Sequence, residues 1–282
     1  TIQDHIRLAR TMSCLFGALT VLLTFFTARA LFGQPWTALL CELILAIAFL
    51  HVHDSTFARV ETFLTFTIMC CFWLAAKSLS PGSAKGWSYA AAVAGGVVIA
   101  AKYNAVPILI PVAFAAFSAT DPSRREIGDL VIQAVKYGLC MAIGFLVATP
   151  EVLFAPRPLF QGIFWEMNHY AKGDIPFRAY DSWDNNLLYY SNFLLKLGMG
   201  WVVSLLSMGY IYLTWQKKSA PYVLLMLYLY VAFVLTILPT ARFERNLEVF
   251  LAPMAIAAGV TGGAIVEFLR SRYSVTVARL AA

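Results

Sequence analysis

Nine long apolar stretches run through the chain, at 12–32, 36–50, 62–79, 87–101, 104–119, 130–149, 199–215, 221–238 and 249–268. They leave few folding options. In hydrocarbon every backbone N–H and C=O must find its partner inside the protein, so only helices and closed barrels cross a membrane. Barrel strands alternate apolar and polar residues. These stretches are continuously apolar, so they read as helices. A span needs about 20 apolar residues. Several stretches here are shorter, which suits spans with little tilt or with polar flanks that reach back to the interface. Only Lys102 and Tyr103, of the run KYN, separate 87–101 from 104–119, and Pro107 and Pro111 lie in the second, so this pair also reads as one kinked element. Charged residues are 13% of the chain, where a soluble domain would carry about 25%. The expected fold class is all-α: a polytopic transmembrane helix bundle of about nine spans, forming a single domain over 1–282.

The net charge of +6 would suggest nucleic acid in a soluble protein. Here Lys and Arg are dispersed and never run longer than two, so basic loops at the membrane account for them and no nucleic-acid partner is expected. Cys14, Cys41, Cys70, Cys71 and Cys140 all lie within apolar stretches, without metal-ligand spacing to His, and read as packing residues. No cleaved signal peptide is recognisable, because the first stretch begins near Met12 and no small-residue cleavage site follows it. The sequence holds no phosphate-cradling Gly-rich loop, nucleophile elbow, HExxH or CxxC. Gly95–Gly96 and Gly262–Gly263 fall inside apolar stretches and read as points of close helix packing.

One long connection remains, 150–198, rich in Trp, Tyr and Phe. Those residues favour the membrane interface, so the segment is expected to be an extracytoplasmic loop carrying one or two interfacial helices. If nine spans alternate sides, ten basic residues fall on one side: Arg29, Lys77, Lys85, Arg124, Arg125, Lys217, Lys218, Arg270, Arg272 and Arg279. Six fall in the N-terminal stub and short loops of the other: Arg7, Arg10, Arg59, Lys102, Arg242 and Arg245. Cytoplasmic loops carry the excess of Lys and Arg, which puts the first set inside. Asp54, Glu61, Glu151, Glu166, Asp174, Asp181, Asp184, Glu244 and Glu248 then all lie outside. Acids contribute little to orientation, so their gathering needs another cause.

The stretch HVHDSTFARVE, 51–61, is the densest polar point. His51, His53, Asp54, Arg59 and Glu61 ionise there. Asp54 and Glu61 are seven apart, so one continuous helix would put them on one face. Two readings stand side by side: a solvated turn with snorkelling flanks, or carboxylates lining an aqueous cavity, since ionisable groups at membrane depth are costly and usually functional. Lys102, in AAKYNAVP, is an interfacial anchor or a cavity cation. Arg242 and Arg245, in TARFERNLEVFLAP, are three apart. Two guanidiniums on one helical face would suit a phosphate, which Arg grips bidentately. The alternative is pairing with Glu244 and Glu248. Glu151, after Pro150, is a further cavity acid or a plain surface charge. Carboxylates, a Lys and an Arg pair on one side of a bundle suit a site that holds an anionic lipid headgroup and does acid–base work on it.

The order of these motifs resembles the GT-C superfamily of membrane glycosyltransferases that use polyprenyl-phosphate sugars, including the protein O-mannosyltransferase and lipid A aminoarabinose transferase relatives. LARTMSCLFGALTVLLTFFTARALFG is similar to that family's second span and cytoplasmic turn. HVHDSTFARVETFLTF resembles its outer-mouth motif, an Asp-Ser pair before a second acid, usually Asp and here Glu61. GGVVIAAKYNAVPILIP looks like its Lys-Tyr segment, and ARFERNLEVFLAPMAIAAG like the Arg-bearing start of a late span. The resemblance implies sugar transfer from a polyprenyl-phosphate donor to a lipid, glycan or protein acceptor, at the extracytoplasmic face of a membrane such as the bacterial inner membrane. It implies Asp54 and Glu61 as catalytic carboxylates, and Lys102, Arg242 and Arg245 as donor-phosphate ligands. Some relatives place a divalent metal near such acids. His51, His53 and Asp54 would be its ligands here, at a spacing that is not diagnostic. The family's main catalytic Asp follows its first span, and this chain starts at what resembles the end of that loop. The chain is therefore expected to be N-terminally incomplete and to lack that base. The rival class is a polytopic transporter or lipid flippase. It would also want intramembrane charge, but no inverted repeat or matched pair of broken helices is visible.

Overall fold

The computed structural model describes residues 2–80, 82–119, 126–172, 183–239 and 242–281. Arg124, Arg125, Asp174 and Asp181 lie outside them. Twelve α-helices are present among the described residues, and no strand. They are α1 (Ile2–Phe32), α2 (Pro35–Ala46), α3 (Phe49–Ser55), α4 (Val60–Ser78), α5 (Gly86–Ala101), α6 (Leu109–Ala119), α7 (Ile127–Ala148), α8 (Pro156–Lys172), α9 (Trp183–Phe193), α10 (Trp201–Lys217), α11 (Ala220–Ile237) and α12 (Glu248–Ala281). The all-α expectation holds.

All nine apolar stretches are helical, but they are not equally long. Among the described residues five segments are helical, long and apolar enough to cross a membrane: α1, α4, α7, α11 and Glu244–Arg272, which joins the 3-10 turn Glu244–Leu247 to α12. A sixth results if α2 and α3, bent by 61° at their junction, count as one span. Helix α5 has 16 residues and α6 has 11. At about 1.5 Å of rise per residue neither reaches the roughly 30 Å of hydrocarbon. Helix α10 has 17. By length and composition the expected nine is thus five or six spans with shorter helices beside them. The break at Lys102 is real: its backbone is extended, and a 3-10 turn over Tyr103–Ile108 leads into α6. In the 150–198 connection the described residues form a 3-10 turn Pro150–Leu153, α8, α9 and a π-helical turn Leu194–Gly198.

Neighbouring helices form a continuous series. Helix α12 packs on α10 and α2, α2 on α1, α1 on α4, α4 on α5, and α5 on α7. Small and hydroxyl residues make these contacts. The buried face of α1 is Ser13, Gly17, Thr20, Thr24, Thr27, Ala28 and Leu31, while Leu15, Leu22 and Phe26 face outwards. This is the membrane pattern, since lipid satisfies large apolar side chains and close backbones need small ones. Between α5 and α7 the approach is tightest. A Cβ at Gly96 would overlap the Met141 carbonyl, and one at Gly144 the Val93 carbonyl. At Pro253 in α12 the missing N–H frees the carbonyl of Val249, and the buried Tyr228 hydroxyl donates to it at 3.4 Å.

Two interruptions position the polar residues. Ala48 is extended, which ends α2 and turns α3 away from it. Arg59 is extended at φ −121° and ψ 137°, which separates α3 from α4. Asp54 and Glu61 therefore do not share a helical face. Asp54 lies near the end of α3, and Glu61 in the first turn of α4.

Candidate functional site

Three acids are buried where α1, α3, α4 and α12 meet, and each has its own basic partner. Asp54 is fully buried. Its Oδ1 accepts from Arg59 Nη1 at 2.7 Å and lies 2.9 Å from His53 Nδ1. Its Oδ2 has no partner. The α3–α4 break supplies this geometry, since it lets Arg59 fold back onto α3.

Glu61 is 3% exposed. Its Oε1 takes two cations, Lys102 Nζ at 3.2 Å and Arg245 Nε at 3.4 Å. Lys102 also donates to Asn246 Oδ1 at 3.0 Å. The break after α5 turns Lys102 inwards, and the 3-10 turn Glu244–Leu247 brings Arg245 and Asn246 to it. Two cations on one carboxylate leave one positive charge in excess. Burial drives the Lys102 pKa below 10.5; Glu61 opposes that shift and Arg245 adds to it.

Glu248, in the first turn of α12, is fully buried. Its Oε1 lies 2.7 Å from His51 Nδ1, and His51 Nε2 lies 3.2 Å from the Gly17 carbonyl oxygen. A carbonyl only accepts, so Nε2 carries a proton. One further proton lies between Nδ1 and the carboxylate. A Cβ at Gly17 would overlap Ser55 Oγ, so glycine lets α3 approach α1 closely enough for this contact.

Arg242 goes elsewhere. Its Nε donates to Asn186 Oδ1 at 2.6 Å, and its guanidinium lies 5.0 Å from the centre of the Tyr189 ring. Arg242 precedes the 3-10 turn and Arg245 lies within it, so the two do not share a helical face as their spacing suggested. Arg245 pairs with Glu61, Glu248 with His51, and Glu244 accepts from the Tyr189 hydroxyl.

A cleft of about 300 Å³ opens beside the Asp54 and Arg245 groups. Phe49, Phe193 and Phe243 form apolar walls, and Asp54, Arg59, Glu244 and Arg245 the polar ones. Of the five residues singled out in the sequence, Asp54 and Arg245 line it. Glu61 and Lys102 sit behind Arg245, and Arg242 is held on α9. The donor set does not suit the metal considered above. Both His51 nitrogens are engaged, and His53 Nδ1 is spent on Asp54. Among the described residues no three His, Cys, Asp or Glu side chains gather as metal ligands would. Sequence reasoning missed Asn186 and Asn246. Each is a single amide whose partners lie far off in sequence, and no local pattern marks it.

Residues 4–154 match the dolichyl-phosphate-mannose-protein mannosyltransferase family. The chain belongs to this family. It is an integral, multi-pass membrane protein of a glycosyltransferase family with the GT-C fold. The fold is similar to that of ArnT from Cupriavidus metallidurans bound to undecaprenyl phosphate, with a TM-score of 0.64 and 17% identity over 90% of this chain and 45% of that one. It is also similar to the archaeal oligosaccharyltransferase AglB from Archaeoglobus fulgidus, solved in complex with an inhibitory peptide and a dolichol-phosphate. That match has a TM-score of 0.59 and 12% identity over 96% of this chain and 40% of the other. The chain spans less than half the length of these structures. No curated protein matches it.

Proposed function

We propose that the protein transfers a sugar from a polyprenyl-phosphate carrier to an acceptor at the extracytoplasmic face of its membrane, and that the cleft beside Asp54 and Arg245 is the donor site. The observation that carries this reading is the Glu61 cluster. Lys102 and Arg245 share one carboxylate oxygen, and Arg245 remains half exposed beside the cleft. The surplus positive charge matches the single negative charge of a sugar phosphodiester. During transfer the sugar C1–O bond to the phosphate breaks and C1 bonds to an acceptor oxygen. The departing phosphate gains charge, which a fixed guanidinium and ammonium stabilise more than they stabilise the bound donor. The acceptor's proton goes to a carboxylate. Asp54 suits this role among the described acids: Arg59 and His53 hold Oδ1 while Oδ2 is left to accept, and unlike Glu248, whose Oε2 also lacks a partner, Asp54 lines the cleft.

The related structures solved with undecaprenyl phosphate and with dolichol-phosphate support a lipid-phosphate ligand for the shared fold. A bacterial inner membrane would make the carrier a polyprenyl phosphate of undecaprenyl type. The transporter reading gains nothing here, since α2 and α3 are the single bent pair among the described residues. The test is reconstitution of the intact protein in liposomes with a radiolabelled polyprenyl-phosphate sugar and candidate acceptors. Transfer that Asp54→Asn abolishes and that Arg245→Ala impairs through a raised donor KM is the expected result. Transfer unaffected by either would overturn the site.

A further inference from the structure

Between the end of α11 at Ile237 and the Glu244–Leu247 turn, the described residues Leu238, Pro239, Arg242 and Phe243 belong to no helix. One helix face takes several of the polar groups around them. Asn186 is fully buried on α9, and its Nδ2 donates to the carbonyls of Ile237, the last residue of α11, at 3.2 Å and of Pro239 at 2.7 Å. The Asn186 oxygen accepts from Arg242 at 2.6 Å. One turn further along α9, the fully buried Tyr190 hydroxyl accepts the Phe243 N–H at 2.9 Å. The adjacent Tyr189 stacks its ring under Arg242 and donates its hydroxyl to Glu244. Three side chains at i, i+3 and i+4, which share a helix face, thus hold Ile237, Pro239, Arg242, Phe243 and Glu244. Arg245 follows directly.

We propose that Asn186, Tyr189 and Tyr190 are positioning residues: α9 acts as a splint that holds Ile237, Pro239 and Arg242–Glu244 in place and so sets the Arg245 guanidinium between Glu61 and the cleft. This rests on the proposed donor site, where Arg245 meets the lipid phosphate. A flexible Arg245 would reach Glu61 and the phosphate only part of the time. The splint therefore governs donor capture, while the carboxylate chemistry at Asp54 proceeds as before once the donor is seated. Asn186 is suited to the role because a side-chain amide both donates and accepts. It closes an α11 carbonyl that the helix leaves orphaned and holds Arg242 with the same group.

Two measurements on the intact protein separate the splint from the donor site itself. The first is donor kinetics. Asn186→Leu and Tyr190→Phe each strip buried partners and should raise the donor KM by roughly 5–30-fold, with kcat changed much less. Asn186→Asp keeps the acceptor for Arg242 and loses the two carbonyl contacts, so it should fall between the wild type and Asn186→Leu. The second is independent of activity. With the five native cysteines replaced and Arg245→Cys as the single thiol, a membrane-impermeant maleimide should react several-fold faster when Tyr190→Phe is added. Unchanged donor KM and unchanged labelling in the α9 variants, with Arg245→Ala still impairing donor use, would overturn the splint and leave the site standing. Faster labelling with no dependence of donor use on Arg245 would overturn the site instead and leave the splint. Equal loss of folded yield and kcat in all three α9 variants would make α9 purely structural and also overturn the proposal.

Discussion

His51 and Glu248 are 197 residues apart and meet at 2.7 Å inside the bundle, with the other His51 nitrogen on the Gly17 carbonyl. The pair ties α1, α3 and α12 together at the level of the cleft. Removing one partner from a buried pair leaves the other uncompensated, which costs about 3–5 kcal/mol. Glu248→Ala should therefore destabilise strongly, as read by thermal unfolding in detergent. Glu248→Gln can still donate to Nδ1 while Nε2–H serves Gly17, so it should cost clearly less. Equal losses for the two variants would show that packing, not the shared proton, holds the junction.

Glu61→Gln keeps the shape of the side chain and removes the charge between Lys102 and Arg245. Transfer should fall by at least about tenfold, as for loss of a group that organises charge at a reacting centre, with a much smaller fall in melting temperature. Matched losses of activity and folded yield would assign Glu61 a structural role.

Arg245→Lys retains the charge and loses the guanidinium fork. A point charge cannot grip two phosphate oxygens in fixed geometry, so donor KM should rise, and Arg245→Ala should raise it further. Arg242→Ala should act more weakly, because Arg242 is held on Asn186 and Tyr189. An Arg242 variant worse than the Arg245 variant would reverse the assignment of the two.

Burial lowers the Lys102 pKa below 10.5 in the folded protein. Between the lowered value and 10.5 the unfolded chain binds the extra proton, so stability contributed by this group rises with pH across that window. The charged form costs stability at lower pH, and the cost fades as pH climbs through the folded pKa. Competitive labelling of lysines with acetic anhydride, read by mass spectrometry, should give Lys102 a midpoint below 10.5. A midpoint at or above 10.5 would contradict the burial seen here.

Gly17→Ala places a methyl group on Ser55 Oγ. Overpacking of this kind costs about 1–3 kcal/mol. It should also push α3 away from α1, so that donor use falls together with the melting temperature. An alanine variant with wild-type stability and activity would mean that α3 has room the structure does not show.

Much of this protein was legible in one dimension. Helices, membrane insertion and the apolar stretches follow from hydrocarbon's demand that backbone polarity be met locally, and that demand acts within single segments. The glycine pairs at 95–96 and 262–263 read correctly as points of close approach, because the lack of a side chain is itself the signal. Asp54, Glu61, Lys102 and Arg245 could be singled out because charge in an apolar chain is conspicuous. Their partners could not. Spacing offered Arg242 and Arg245 as one pair and Asp54 and Glu61 as one face, and both groupings fail because the chain leaves helical geometry at 59 and before 244. Nothing local marks the bend within 47–48 or the break at 59: Ile47, Ala48 and Arg59 are neither Gly nor Pro. They are decided by what α3 and the 3-10 turn meet once the bundle closes. Glu248 finds His51, Arg59 finds Asp54, and Asn186 finds Arg242 over separations of 197, 5 and 56 residues. The sequence by itself determined which groups could not remain in lipid unpaired. Only the tertiary structure decided which pairs with which, because the cost of burying a charge is met by whichever partner the packing of distant helices brings within reach.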